Sequence, residues 1–259
     1  NDFFGHDAKY HSPKAKIVTS IAMFYDVDDP VAFAKDVRDI LADDGVWVIE
    51  MHYLSIMLEK NEVDAICHEH LCYYSLTSLV SILNKAGFIA VDVSLNDTNG
   101  GSMLVHAKKA FADVIVGEPV RKLLTLEHGT ALIDRLLDFA NRVKNNKHAL
   151  RELLFKLSLE NKKVYGYGAS TKGNTLLQYC GITPELVQKI ADRNPQKHGR
   201  EMVGSRIPII SEEQMRDEKP DYLLVLPYHF IDGFRKREHE FLARGGRFIV
   251  PVPTPQIIS

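Results

Sequence analysis

Gly45-Val46-Trp47-Val48-Ile49-Glu50-Met51 is a run of β-branched, aromatic and aliphatic residues opened by a glycine, and it reads as a buried strand. Before it, Pro30 to Leu41 carries Val31, Phe33, Val37 and Leu41 at helical spacing, an amphipathic helix that Asp43-Asp44-Gly45 is expected to end. Earlier still, Lys16 to Ile21 reads as a short buried strand. The order strand, helix, strand favours a parallel pair joined by a right-handed crossover. Downstream, Leu76 to Ala86 predicts a helix capped by Gly87. Ile89 to Leu95 and Ser102 to Lys108 then alternate apolar and polar residues around Asn96-Asp97-Thr98-Asn99-Gly100-Gly101, a hairpin pattern.

The chain has 259 residues, 45% hydrophobic and 25% charged, enough for about two domains with real cores. A formal net charge of −2 gives no broad basic field of the kind that attracts nucleic acid or anionic membrane, so neither is expected as a partner. Three cysteines, Cys67, Cys72 and Cys180, are too few for a disulfide framework, which points to a reducing, cytoplasmic setting. No apolar stretch approaches a membrane span, and Asn1-Asp2-Phe3-Phe4-Gly5-His6 is not a signal peptide. The absence of an initiator methionine leads to the expectation of a longer protein. Oligomeric state is not legible.

From about Val120 to Lys162 the spacing is helical, and Asn145-Asn146-Lys147 is the natural break between two amphipathic helices. After Lys163 a second α/β unit is predicted: strand Val164 to Tyr167, a glycine turn and helix through Tyr179, strands Val187 to Ala191 and Tyr222 to Leu226, helix Phe234 to Ala243, and strand Gly246 to Val250. The expected division is residues 1–112, a helical connector 113–162, and a Rossmann-like domain 163–259.

The densest cluster of reactive side chains is Cys67-His68-Glu69-His70-Leu71-Cys72-Tyr73-Tyr74-Ser75, on a connection at the carboxyl ends of parallel strands, where open α/β sheets bind ligands. His70 suits a general base near neutral pH, and Glu69 suits orienting its partner or a hydrogen bond to a sugar hydroxyl. Helix capping and loop satisfaction are the competing role for these histidines. Cys67-x4-Cys72 around His68 and His70 lacks the paired spacing of a zinc knuckle, so no metal is assigned. Gly166-Tyr167-Gly168-Ala169-Ser170-Thr171-Lys172-Gly173 follows a strand and opens a helix, a setting for a diphosphate with Lys172 adding charge. Thr171 stands where a dinucleotide fingerprint has its third glycine, and Asn174 where a P-loop has lysine. Asp192-Arg193-Asn194 and Tyr228-His229 lie beyond later strands of the same unit.

These stretches, with Asn99-Gly100-Gly101-Ser102, resemble the deoxysugar 3-C-methyltransferases of antibiotic and polysaccharide pathways, over nearly the whole chain. The family's Tyr-x-Glu-His motif falls on Cys67-His68-Glu69-His70, with Cys67 in place of tyrosine, and a further family histidine falls on Asp26. The resemblance implies an α/β fold: the C-terminal half of a class I, Rossmann-like methyltransferase domain, from its fourth strand onward, helices, and a small Rossmann-like domain holding the nucleotide of a sugar. It implies S-adenosylmethionine as cofactor, contacted by Asp2, Phe3, Met23 and Tyr25, and zinc only in a part not present in this sequence. Catalysis would fall to His70 and Glu69, and substrate contacts to Cys67, His68, Tyr73, Asn99, Gly100, Gly101, Ser102, Gly168, Ser170, Lys172, Tyr228 and His229. The expected reaction is C-methylation of a nucleotide-linked keto-sugar through an enolate. The alternatives are an NAD(P)-dependent oxidoreductase built on the Gly166 turn, or a noncatalytic sugar-nucleotide-binding subunit.

Overall fold

The computed structural model describes residues 13–111, 113–129 and 131–259. The chain divides into two compact units: the first runs to Met57 and takes in His68–Arg135, and the second takes Leu58–Cys67 and Leu136–Ser259. The chain therefore passes to the second unit after Met57, returns at His68, and leaves the first unit after Arg135. The helical stretch 113–162 is shared between them.

The first unit contains β1 (Ala15–Ile21), α1 (Pro30–Ile40), β2 (Leu41–His52), the start of α2 (Leu54–Glu59), α3 (Leu76–Lys85), β3 (Phe88–Asn96), β4 (Ser102–Lys109) and α4 (Glu118–His128). Among the described residues its strands form a sheet of order β1-β2-β4-β3, with β1 parallel to β2 and β4 antiparallel to both neighbours. This is the parallel pair closed by a hairpin that the sequence pattern predicts. Asp29 caps α1 by accepting from the amides of Val31 and Ala32 at 3.1 and 2.9 Å, with Pro30 at the first helical position. Asp43-Asp44-Gly45 does not end that helix. The strand starts at Leu41, and the register steps from Ala15 opposite Leu41 to Ile17 opposite Val46, so these residues form a bulge.

Alternate residues Trp47, Ile49 and Met51 of β2 are almost wholly buried, each contributing roughly 1.5–3 kcal/mol of apolar burial. The Trp47 ring packs on Phe24 and Phe88 with centroids 5.5 and 5.3 Å away. Its indole N–H donates to Ser20 Oγ at 3.0 Å, so a buried donor is satisfied inside the core.

The second unit contains most of α5 (Leu132–Leu159), then β5 (Val164–Tyr167), α6 (Thr171–Cys180), β6 (Ile190–Asp192), β7 (Ile209–Ser211), α7 (Glu212–Glu218), β8 (Tyr222–Val225), α8 (Ile231–Arg237), α9 (His239–Ala243), β9 (Arg247–Val250) and β10 (Gln256–Ile258). Its sheet runs β10-β9-β8-β5-β6-β7, parallel except for β10. The chain builds from β5 outward to β7, then returns to β8 on the other side of β5. The carboxyl ends of β5 and β8 thus flank the topological switch point of a doubly wound sheet.

Two expectations change here. Asn145-Asn146-Lys147 breaks nothing: α5 is continuous, and buried Asn146 donates through Nδ2 to the Pro251 carbonyl at 2.9 Å. The helix expected over Phe234 to Ala243 is two helices that meet at Glu238, whose buried carboxylate accepts from Tyr167 Oη at 2.8 Å and Arg216 Nε at 3.0 Å.

Candidate active site

Because β1 and β2 are parallel, Ile21 and His52 finish at one edge of the first sheet, and Ser102 pairs with His52, so the turn between β3 and β4 opens there too. Beyond β1, fully buried Phe24 anchors a 3₁₀ turn, Phe24–Asp26, leaving Met23 and Tyr25 half-buried and Asp26 exposed. The Tyr25 carbonyl accepts from the amides of Leu71 and Cys72, both at 3.0 Å. The Tyr25 ring lies 4.4 Å from the His70 ring, and Tyr73 lies 6.5 Å from His70 on centroids. The Leu54 amide donates to the Tyr74 carbonyl at 2.9 Å, fixing the other end of the loop to the end of β2.

Met23, Tyr25, Glu69, His70 and Tyr73 are thus brought to one sheet edge. Partial burial and the neighbouring Glu69 carboxylate hold the Asp26 carboxyl above the usual carboxylate range. His68 and Glu69 are exposed. Two aromatic rings, an imidazole and two carboxyl groups at the carboxyl ends of parallel strands can hold a polar ligand and move a proton.

The β3–β4 turn contributes less chemistry than its sequence suggests. Gly101 has φ +153°, and a Cβ there would lie 2.3 Å from Ile56 Cγ2. Its carbonyl accepts from the Tyr53 amide at 3.1 Å. Ser102 is buried and its hydroxyl donates to the Thr98 carbonyl at 3.0 Å, while Gly100 is buried beside it. Packing therefore accounts for Gly101 and Ser102, and Asn99, with φ 53°, carries the side chain at the tip. Cys67 is buried and belongs to the second unit, one residue before the chain returns to the first. Asp2 and Phe3 lie outside the described residues. Among the described residues no group of three or more His, Cys, Asp or Glu side chains is placed to hold a metal ion, and no helix is long and apolar enough to cross a membrane.

Sequence reasoning missed Tyr53 and Glu127. One carboxylate of Glu127 accepts from the amides of Leu76 and Thr77, each at 2.7 Å, from Thr77 Oγ1 at 2.5 Å, and from Tyr53 Oη at 2.8 Å. Burial pushes this carboxyl up, but those hydrogen bonds outweigh it and hold it below its usual range. The effect is to secure the first turn of α3, directly after the candidate catalytic loop. Nothing local in the sequence marks this role, since the partners stand 50 to 74 positions away.

In the second unit the glycine turn is built for closeness. Gly168 has φ +85°, and a Cβ would meet the Pro227 ring at 2.6 Å. Ser170 caps α6 by accepting from the Gly173 amide at 3.0 Å. Asp192 Oδ2 accepts from the Ala169 amide at 2.7 Å, and Lys197 Nζ donates to the Ala169 carbonyl at 2.7 Å. Against α6, the helix this turn opens, lies a segment with no assigned role in the sequence reading, the 3₁₀ turn Val63–Ala65. Tyr228 Oη donates to Asp64 Oδ1 at 2.9 Å, His229 Nδ1 is 4.0 Å from Glu62 Oε1, and Lys172 attracts the Asp64 carboxylate. Lys172, Tyr228 and His229 are therefore together as expected, but they face two buried carboxylates, Glu62 and Asp64. The available signal was an acid set between the apolar residues Val63 and Ala65.

Residues 97–253 match the model of the C-methyltransferase C-terminal domain family, and residues 1–93 match a methyltransferase domain model. The chain is 38% identical over 247 residues to C-methyltransferase NovU of Streptomyces niveus, an alignment covering 95% of this chain and 59% of the relative. The chain thus spans about three fifths of the length of that curated relative. Among solved structures, the mitomycin 7-O-methyltransferase MmcR is 16% identical with a TM-score of 0.33, over 40% of this chain and 33% of that one. TnmH is 20% identical with a TM-score of 0.31, over 40% and 34%.

Proposed function

Since the chain belongs to the C-methyltransferase family, we propose that the whole protein transfers a methyl group from S-adenosylmethionine to a carbon of a nucleotide-linked keto-sugar. The observation that carries this reading is the joining of the turn after β1 to the Glu69–His70 loop, with the Tyr25 carbonyl accepting from two loop amides and the Tyr25 ring against His70.

Methylating carbon needs a carbanion equivalent, obtained most easily by removing a proton beside a ketone. His70 takes that proton onto a ring nitrogen, and the electron pair of the broken C–H bond passes into the enolate. Tyr25 and Tyr73 restrict the imidazole from two sides. Glu69 orients the sugar through a hydroxyl or steadies the imidazolium. Asp26, whose carboxyl partial burial and then Glu69 raise above the usual range, is the acid next to Glu69 at this sheet edge. His68 and Asn99 are the outer sugar contacts.

The cofactor, when bound, supplies an electrophilic methyl on a cationic sulfonium. Met23 and Tyr25 fit it: they are half-buried against the first core at the end of β1, an apolar surface with a polarizable sulfur and a ring face suited to a cation. The nucleotide half of the substrate falls to the second unit, outside the crevice of its glycine turn.

The test is incubation of the whole enzyme with carbon-13-methyl-labelled S-adenosylmethionine and a keto-sugar nucleoside diphosphate. A carbon-bound labelled methyl in the NMR spectrum is expected. Label on oxygen, or none, defeats the reading.

A further inference from the structure

We propose that the turn Val63–Ala65 is a latch seated in the switch-point crevice of the second unit and held there by Asp64, so that the glycine turn takes no diphosphate. The latch occupies the place in which the glycine turn would otherwise meet a diphosphate. The latch does not rest on the methyltransferase reading above.

The crevice is closed by three independent features. Its walls touch, since only the missing Cβ of Gly168 lets the Pro227 ring approach. The backbone of the turn is already engaged by Ser170, Asp192 and Lys197. Its mouth holds Glu62 and Asp64, 0% and 1% exposed. A diphosphate brought there would stand against two buried carboxylates in a medium where like charges repel strongly. The cationic and donor groups that a sequence reading gives to phosphate instead serve the chain's own acids: Lys172 from α6, with Tyr228 and His229 from the 3₁₀ turn after β8. Further anchors hold the same excursion of chain: Arg142 donates to the Leu58 carbonyl at 2.6 Å and to Asn61 Oδ1 at 2.8 Å, and Asn61 Nδ2 donates to the Pro253 carbonyl at 2.9 Å.

The test compares three variants of the whole enzyme. Asp64→Ala leaves the buried Tyr228 hydroxyl without its acceptor, Asp64→Asn keeps an acceptor, and the double variant Asp64→Ala with Tyr228→Phe removes both partners. The latch requires amide hydrogen exchange of residues 58–67 to rise in Asp64→Ala and to return in Asp64→Asn and in the double variant. Unchanged exchange in Asp64→Ala, or a double variant no better than the single, overturns the proposal. If Asp64→Ala does not fold, Tyr228→Phe alone and with Asp64→Asn carries the same comparison. Inorganic pyrophosphate must leave the exchange of residues 166–173 unchanged in wild type, and protection there overturns the latch. The exchange readouts need no turnover, so failure of the methyl-transfer reading and failure of the latch are separable.

Discussion

The His70 imidazole lies against the ring of Tyr25, 4.4 Å between centroids at an interplanar angle of 51°, while the Tyr25 carbonyl holds the two amides that follow His70 in the same loop. One residue therefore fixes both the backbone and the ring orientation of the candidate base. Tyr25→Phe keeps the ring and the carbonyl and is expected to retain most activity. Tyr25→Ala removes the ring and is expected to lower kcat/KM by roughly ten- to a hundredfold. Steady-state kinetics of the two variants check this, and equal losses would show that the hydroxyl rather than the packing matters.

Removing Glu127 should unsettle the start of α3. Its carboxylate accepts from Tyr53, Leu76 and Thr77, and a hydrogen bond to a charged group contributes about 1.5–3 kcal/mol net of solvent, less where the group is partly exposed. Glu127→Ala is expected to cost about 2–4 kcal/mol in chemical denaturation. Because its folded pKa is lowered, the stabilisation is present above the ordinary glutamate range and is lost as pH falls through the folded value. The gap between wild type and Glu127→Ala should therefore narrow in acid.

Asp64 gives the opposite sign. Burial pushes its carboxyl up to about 6, above the attraction of Lys172 and the Tyr228 hydrogen bond, with Glu62 adding to the rise. A raised carboxyl stabilises the fold where it is protonated, so that contribution is full below the ordinary aspartate value and disappears as pH rises to about 6. In thermal melts Asp64→Asn should gain stability relative to wild type from about pH 4 to about pH 6 and hold a constant difference above it. A difference independent of pH would place Asp64 in a solvated setting.

Gly101→Ala should destabilise the first unit. The new Cβ would meet Ile56 at 2.3 Å in a backbone conformation that L side chains rarely adopt, an effect of about 1–3 kcal/mol or more. Pairing it with Ile56→Ala should recover part of the loss, measured by denaturant unfolding.

The sequence made the strand–helix–strand succession and the hairpin legible because Val46-Trp47-Val48-Ile49 is a continuous apolar run and Asn99-Gly100-Gly101 marks a turn, but Lys16–Ile21, read as buried, is largely exposed. It hid the three-residue strands Ile209–Ser211 and Gln256–Ile258, which are too short for any period to show. It misread Asn145-Asn146-Lys147 as a break because a buried asparagine satisfied by Pro251 looks, in isolation, like a loop residue. Glu69 and His70 stand out by residue type and Tyr25 and Tyr73 by the resemblance, and the structure brings these residues to one sheet edge. Glu62, Asp64 and Glu127 do not stand out, because their roles depend on partners far along the chain: Tyr228 is 164 positions from Asp64. Local composition cannot distinguish an acid that binds ligand from one that binds its own fold.

The most direct test of the central claim separates proton abstraction from methyl transfer. The whole enzyme, loaded with S-adenosylhomocysteine so that no methyl can move, is given a keto-sugar nucleoside diphosphate in heavy water, and exchange at the carbon beside the ketone is followed by proton NMR. The account requires the wild type to exchange that proton and His70→Gln to slow it by about a hundredfold or more, with nucleotide binding retained. Exchange at the wild-type rate in His70→Gln would contradict it.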